Sequence, residues 1–164
     1  VTMPTGLSYA GEGVKFIFAD VNGGPWSSIL CYDPDSSAFP TLYEGDLIEA
    51  TGKVFEYESG DANMTELFIT EPINVIDFEQ PLPVVDTVKT GDLRSPRTAE
   101  QWGNVMVRIE DAVVTQTAPS SYEPFVIDDN SGEVWIDDDS DSVQTYFEEV
   151  GVPPVGSLVQ FMEG

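Results

Sequence analysis

The 164-residue chain carries 30 Asp and Glu residues against 6 Lys and Arg residues, a formal net charge of −24. Because nucleic-acid affinity depends on cations that displace counterions from phosphates, this charge predicts no direct nucleic-acid partner. With no histidine and one cysteine, Cys31, the sequence excludes Ser-His-Asp and Cys-His catalytic sites, histidine-ligated zinc or iron and an internal disulfide. We expect Cys31 to be buried as a small apolar side chain.

Short alternating segments bounded by Gly, Pro, Asn and Asp predict a series of β-strands. In chain order they are 14–18, 28–32, 47–57, 67–76, 105–115, 124–127, 133–136 and 158–162. Helix-like spacing occurs at one turn, 98–102, and over a longer segment, 142–150. The predicted fold class is all-β.

The two halves of the chain repeat one order of elements. In the first half a strand leads into the turn 20–24, with an Asp-x-Asn-x-Gly pattern, and a second strand follows. In the second half the turn 128–132 has the same pattern between two strands. Each half then reaches a Gly-polar-Leu strand start, at Gly45 and Gly156. This order predicts two copies of one small barrel.

The Pro-containing stretch 78–97 predicts an extended linker between domains 1–77 and 98–164. The first domain has no equivalent of the predicted strand at 105–115, and the second has no equivalent of the strand at 67–76. We therefore expect two tandem five-stranded barrels, the first without its first strand and the second without its last.

A strand, an Asx turn, a strand, an acidic loop and a long strand beginning Gly-Asp-Leu form the order of an OB barrel. The segments 45–57, 65–67 and 90–112 resemble the OB-like domains of secreted bacterial nucleases and large exported surface proteins, which often carry lamin-tail or type IX sorting modules. Where those relatives have an aromatic residue, Glu and Gly, this chain has Trp102-Gly103-Asn104. The resemblance implies an OB-like fold and an extracellular or cell-surface location, and it assigns no catalytic residue.

The turn 128–132 and the acidic run that follows it suggest a calcium site, because calcium takes six to eight oxygen ligands. The candidate ligands are Asp128, Asp129, Asn130, Asp137, Asp138 and Asp139. The alternative is a solvated loop beside a hairpin turn in which Asp and Asn cap backbone amides, and the same alternative applies to turn 20–24. Calcium is thus a candidate ligand, and the sequence requires no cofactor.

Aromatic residues at strand positions predict core or barrel-closing roles, and the alternative is a stacking platform for a ligand. They are Phe16, Phe18, Tyr32, Tyr57, Phe68, Phe125, Trp135 and Phe161. Trp26 is the exception, because it follows Pro25 directly after a turn. We predict that its exposed ring contacts a sugar or a neighbouring subunit.

These features together favour a non-catalytic structural or interaction module of a multi-domain secreted or cell-surface bacterial protein, within a repetitive assembly. Its expected partners are neighbouring domains or subunits of the same protein, including further copies. The alternatives are an accessory domain of an exported nuclease or hydrolase, and a calcium- or carbohydrate-binding module. No apolar run approaches the roughly 20 residues of a membrane helix, so we expect no membrane insertion.

Overall fold

The computed structural model describes residues 1–8, 10–37, 39–59, 62–118, 124–138 and 140–164. It has 41% strand and 11% helix, with a half-barrel sheet. The fold is thus rich in β-strands, as the predicted all-β class requires, but it also contains helices. The chain divides into two compact units: unit 1 contains Val1–Gly23 and Ser27–Val84, and unit 2 contains Gly24–Trp26 and Val85–Gly164.

The described residues of unit 1 form six strands, and the predicted strands at 47–57 and 67–76 are each divided in two. The strands are β1 (Val14–Ala19), β2 (Ser28–Asp33), β3 (Leu47–Glu49), β4 (Gly52–Ser59), β5 (Ala62–Ile69) and β6 (Asn74–Asp77). Four of them form a sheet in the order β1-β2-β5-β4, while β3 pairs with β6. The pairing of β2 with β5 is parallel, and the other pairings are antiparallel.

The core of unit 1 lies on one face of this sheet. Phe16, Cys31, Leu42 and Ile69 are buried there. Cys31 is fully buried, as predicted, and burial raises the pKa of its thiol to about 12. Because side chains alternate along a strand, the neighbours of these residues point to the opposite face of the sheet.

In unit 2 the residues that the structure describes form five strands, two helices and one turn of 3-10 helix. They are β7 (Asp86–Thr87), α1 (Thr90–Arg94), the 3-10 turn (Ala99–Trp102), β8 (Val107–Thr117), β9 (Phe125–Asp128), β10 (Val134–Ile136), α2 (Asp141–Val150) and β11 (Leu158–Glu163). The sheet order is β10-β9-β8-β11, all antiparallel, and β7 runs parallel to β8.

The expected linker at 78–97 is therefore interrupted by regular structure. From Val85 onward it groups with unit 2, where β7 pairs with β8 and α1 follows. Val88 is only 6% exposed and joins the core, while Thr90 is fully buried. Burial of these side chains holds the segment against unit 2, a contact that a Pro-rich composition does not reveal.

The core of unit 2 is formed mainly by β8 and β9. Val107, Ile109, Val114, Phe125 and Ile127 are buried in it. The predicted helix at 142–150 is confirmed as α2, and Phe147 on this helix meets Phe125 edge to face, with ring centroids 5.6 Å apart. Of the helices in the described residues, none has the length and apolar character needed to cross a membrane.

Candidate ligand-binding site

A cleft of ≈ 780 Å³ opens on unit 1, on the sheet face opposite the core. All four strands of the sheet contribute to it. The side chains that line it are Lys15, Tyr32, Lys53, Phe55, Tyr57, Met64, Glu66 and Phe68, together with Ala10 and Gly11 of the preceding loop. Most of these side chains are aromatic or cationic.

The register of the strands places four of these residues in one row. Lys15 on β1 pairs with Tyr32 on β2, Tyr32 with Phe68 on β5, and Phe68 with Lys53 on β4. The rings of Tyr32 and Phe68 meet at an interplanar angle of 61°, with centroids 6.3 Å apart. Since neighbouring strands lie about 4.8 Å apart, the three steps separate the two lysine backbones by roughly 14 Å. The row is an aromatic floor with an ammonium group at each end.

A second group of side chains extends the floor along β4 and β5. Phe55 pairs with Glu66, and Tyr57 pairs with Met64. Phe55 is 47% exposed and Tyr57 is 48% exposed. Two half-exposed aromatic rings at alternate positions of one strand, inside a cleft, form an apolar surface of the kind that binding sites present.

The cleft also contains both cations of the first half of the chain. Lys15 and Lys53 are the only Lys or Arg residues in 1–84, where every other charged side chain is acidic. Within the described part of the chain, the ion pairs involve other cations, Lys89 and Arg108, and neither cleft lysine takes part in one. Two ammonium groups that form no ion pair with a described carboxylate are thus available to a ligand.

Glu66 places a buried carboxyl group at the floor of the cleft. The residue is only 4% exposed. Burial raises the pKa of its carboxyl group, and the charge of Lys15 opposes this rise. A carboxylate accepts a hydrogen bond from a ligand hydroxyl, and a protonated carboxyl can also donate one.

In both Asp-x-Asn-x-Gly turns, the first aspartate holds the turn itself. Oδ1 of Asp20 accepts hydrogen bonds from the backbone N–H of Asn22 at 2.9 Å and from its side-chain amide at 2.7 Å. Oδ1 of Asp128 accepts from the backbone N–H groups of Asn130 at 2.8 Å and Gly132 at 3.0 Å. These contacts are the turn chemistry that the sequence offered as the alternative to calcium.

Asp129 is engaged by protein donors. Its side chain is 2% exposed, and Oδ1 accepts hydrogen bonds from Thr90 Oγ1 at 2.8 Å and from the backbone N–H of Ser131 at 3.1 Å. Nζ of Lys89 lies 3.3 Å from Oδ2. Burial alone would raise the pKa of this carboxyl group, but the bonds from Ser131, Thr90 and Lys89 outweigh it and lower the pKa to about 2. Asp129 thus connects the start of α1 to the β9–β10 turn.

The other predicted calcium ligands follow β10. Asp137 is exposed and Asp138 is partly buried, while Asp139 lies outside the described residues. Across the described ranges, no group of three or more acidic or cysteine side chains is arranged to hold a metal ion. Asp128, Asp129 and Asn130 are thus not gathered with Asp137 and Asp138 into one set of ligands.

The aromatic residues occupy three different environments. Phe16 and Phe125 are buried, as predicted. The prediction of a core role is wrong for Tyr57, Trp135 and Phe161, whose side chains are 48%, 55% and 60% exposed, because they lie on an outer sheet face or on end strands. Trp26 is 69% exposed, as expected, and its backbone N–H donates to the carbonyl of Gln101 at 2.7 Å. The partner of the Trp26 ring stays a prediction.

Sequence reasoning missed the cleft. The alternation of Lys53, Phe55 and Tyr57 places all three on one face of a strand, which was a readable signal. The parallel pairing of β2 with β5 that brings Tyr32 beside Phe68 was not readable. No protein-family model matches this chain, and no curated protein or solved structure gives a match.

Proposed function

We propose that the chain is a non-catalytic module of a multi-domain secreted or cell-surface protein, and that unit 1 binds a short glycan bearing a carboxylate. The observation that carries the proposal is the joint presence of an aromatic floor and the only two lysines of residues 1–84 in one cleft. A carbohydrate-binding module is thereby favoured over a calcium-binding one, since the candidate carboxylates Asp128 and Asp129 already accept protein hydrogen bonds.

We also propose that both units are OB-like barrels. The order β10-β9-β8-β11 in unit 2 is that of a Greek key, with the fourth strand beside the first. In this pattern β8, β9, β10 and β11 are strands one to four of unit 2. If β1 and β2 of unit 1 match β9 and β10, then β4 is the fourth strand of unit 1. The order β1-β2-β5-β4 then places a fifth strand, β5, between the third and the fourth. A ring of five strands that combines the two orders would be a small barrel, which supports the proposal.

The aromatic floor supports a sugar ligand on chemical grounds. Pyranose rings present apolar C–H faces that pack on aromatic rings, and their hydroxyls need polar groups at the edge of the contact. Tyr32, Phe55, Tyr57 and Phe68 offer the rings, and Glu66 offers a buried hydrogen-bonding group. Rings held in strands lose little conformational freedom on binding.

The charge distribution supports a short acidic ligand. Lys15 and Lys53 attract a carboxylate at either end of the floor, because an ammonium group without a partner gains a charge-assisted hydrogen bond. A long polyanion would extend beyond the two lysines over the surface of a chain with net charge −24, which repels it. A glycan of a few residues with one or two carboxylates meets both conditions.

The proposal is tested by calorimetric titration of the full chain with trisaccharides of galacturonic acid and of glucose. We expect the acidic trisaccharide to bind more tightly than the neutral one. Tyr57→Ala should raise the dissociation constants of both trisaccharides by roughly tenfold, because one stacking ring is lost. Val54→Ala is the matched control, because Val54 is 68% exposed on the opposite face of the same strand.

Lys53→Met separates the charge from the rings. We expect it to lower the affinity for the acidic trisaccharide by several-fold, since a solvent-exposed charge contact contributes up to about 1 kcal/mol. The affinity for the neutral trisaccharide should stay unchanged. Arg97→Met is the control, because it changes the net charge equally at an exposed residue outside unit 1. The proposal would be contradicted if neither trisaccharide bound. It would also be contradicted if Val54→Ala lowered the affinity as much as Tyr57→Ala does.

A further inference from the structure

Unit 2 has two end strands with exposed apolar side chains. In the order β10-β9-β8-β11, β10 and β11 each pair on one side only within the described residues. Trp135 on β10 is 55% exposed, while Leu158 and Phe161 on β11 are 62% and 60% exposed. Unpaired N–H and C=O groups beside apolar side chains are a template for a further strand.

Unit 1 shows what occupies the corresponding position in the other half of the same chain. Leu30 on β2 corresponds to Trp135 on β10 by sheet face. Leu30 pairs with Ile17, between the core side chains of Phe16 and Phe18, and Trp135 pairs with Val126, between the core side chains of Phe125 and Ile127. Leu30 is only 4% exposed, and β5 lies directly beside it through the pair Leu30 and Glu66. In the described part of the chain a strand lies beside β2 and none lies beside β10, which accounts for the difference in exposure.

The start of β11 in unit 2 corresponds to the start of β3 in unit 1. Leu158 and Val159 follow the same Gly-polar pair as Leu47 and Ile48 on β3. In unit 1, β6 runs antiparallel along β3, and Ile48 pairs with Val75. The segment from β5 to β6 therefore occupies, in unit 1, the place that is open on both end strands of unit 2.

We propose that unit 2 binds an extended polypeptide segment with apolar residues at alternate positions, parallel to β10 and antiparallel to β11. The chemistry of the segment follows from β5 and β6, whose Leu67, Ile69 and Val75 face the core of unit 1. On unit 2 the apolar side chains that such a strand would cover belong to the core cluster but are only partly buried, and they are Val134, Ile136, Val159 and Met162.

The backbone of β11 has groups in position for this pairing. The N–H of Gly164 donates to the carbonyl of Val107 at 3.1 Å, and the N–H of Val107 donates to the carbonyl of Gly164 at 2.9 Å. Because hydrogen-bonded and non-hydrogen-bonded pairs alternate along an antiparallel ladder, the N–H and C=O groups of Phe161 point to the free edge. A partner strand would bond to them.

The test uses the full chain and a fluorescein-labelled synthetic peptide with the sequence of residues 64–77. We expect saturable binding in the micromolar range by fluorescence anisotropy. Hydrogen exchange should slow at 134–136 and 158–163 when the peptide is present. A peptide of the same composition in scrambled order, which loses the alternation, should not bind.

Two substitutions at one position isolate the backbone contact. Phe161→Ala and Phe161→Pro both remove the ring that lies over Arg108, with 4.9 Å between the Arg108 Cζ and the ring centroid. Only the proline also removes the N–H at the free edge. We therefore expect Phe161→Pro to lower the affinity for the peptide at least about fivefold more than Phe161→Ala does. Circular dichroism confirms that both variants retain the fold.

Three results would overturn the proposal. The first is no binding at a peptide concentration of about 1 mM. The second is protection from exchange confined to unit 1, which would mean that the peptide only replaces β5 and β6. The third is a dimer of the chain alone that Phe161→Pro abolishes, because a second copy would then occupy the edge through its own β11.

Discussion

Asp129→Asn is predicted to destabilise unit 2 at neutral pH. The native carboxylate is 2% exposed and accepts hydrogen bonds from Thr90 and Ser131, with Lys89 at 3.3 Å. Asparagine keeps the shape but is neutral, and the amide NH₂ group that replaces Oδ2 would face the Lys89 ammonium. The substitution therefore leaves the connection between α1 and the β9–β10 turn incompletely bonded.

The lowered pKa sets the size of the effect. The pKa of Asp129 falls from 3.8 to about 2 on folding. A difference of nearly two units corresponds to about 2 kcal/mol of stability that the charged form contributes. Because the folded pKa is depressed, this contribution is fully present above the unfolded value of 3.8 and is lost as the pH falls through about 2.

Urea unfolding followed by tryptophan fluorescence measures this quantity. Trp26, Trp102 and Trp135 all belong to unit 2, so the signal reports that unit. We expect Asp129→Asn to lower the free energy of unfolding by about 2 kcal/mol at pH 7, with the difference from the native chain shrinking between about pH 4 and pH 2. Glu148→Gln removes the same charge at an exposed position of α2 and should stay within about 0.5 kcal/mol of the native chain.

Two results would refute this reasoning. One is a variant as stable as the native chain at pH 7. The other is a stability difference that stays constant from pH 7 to pH 2, because the effect would then come from shape or packing rather than from the charge of Asp129.

Further substitutions test other parts of the structure. Phe125→Ala should cost about 3–5 kcal/mol in tryptophan-monitored unfolding, because Phe125 is only 1% exposed. Gly91→Ala should destabilise unit 2 by more than about 1 kcal/mol, because a Cβ there would lie 2.5 Å from the Ser131 carbonyl oxygen. Glu66→Gln should stabilise unit 1 in thermal melts at neutral pH, since burial disfavours the charged carboxyl, and the gain should shrink as the pH falls toward 4.5. Calcium should raise the unfolding midpoint of unit 2 no more than magnesium at equal concentration, because Asp128 and Asp129 already accept protein hydrogen bonds.

The strands were readable because side-chain alternation is local. Segments such as 14–18 and 124–127 lie at their predicted places as β1 and β9, and α2 follows the helical spacing of 142–150. The division of a predicted strand into two was harder to predict. β3 pairs with β6 and β4 pairs with β5, and this change of partner depends on distant parts of the chain. A two-residue strand such as β7 has no periodicity from which to predict it.

The cleft was harder to predict than the strands that build it. Lys15 and Lys53 are distant in sequence, and only the β1-β2-β5-β4 order places them at the two ends of one row. The acidic loops were predicted as a calcium site because they contain many oxygen ligands. The hydrogen bonds of Asp129 include one from Thr90, a residue of the segment that composition predicts as a linker.

The most direct test of the proposed ligand site is a ¹H–¹⁵N NMR titration of the full chain with the galacturonic acid trisaccharide. We expect saturable shifts of the backbone amides that line the cleft, those of Lys15, Tyr32, Lys53, Tyr57 and Phe68. The amides of the buried face of unit 1 and of unit 2 should change little. Saturable shifts centred on Trp26 or on unit 2, or no saturable shift at any amide, would contradict the proposed site.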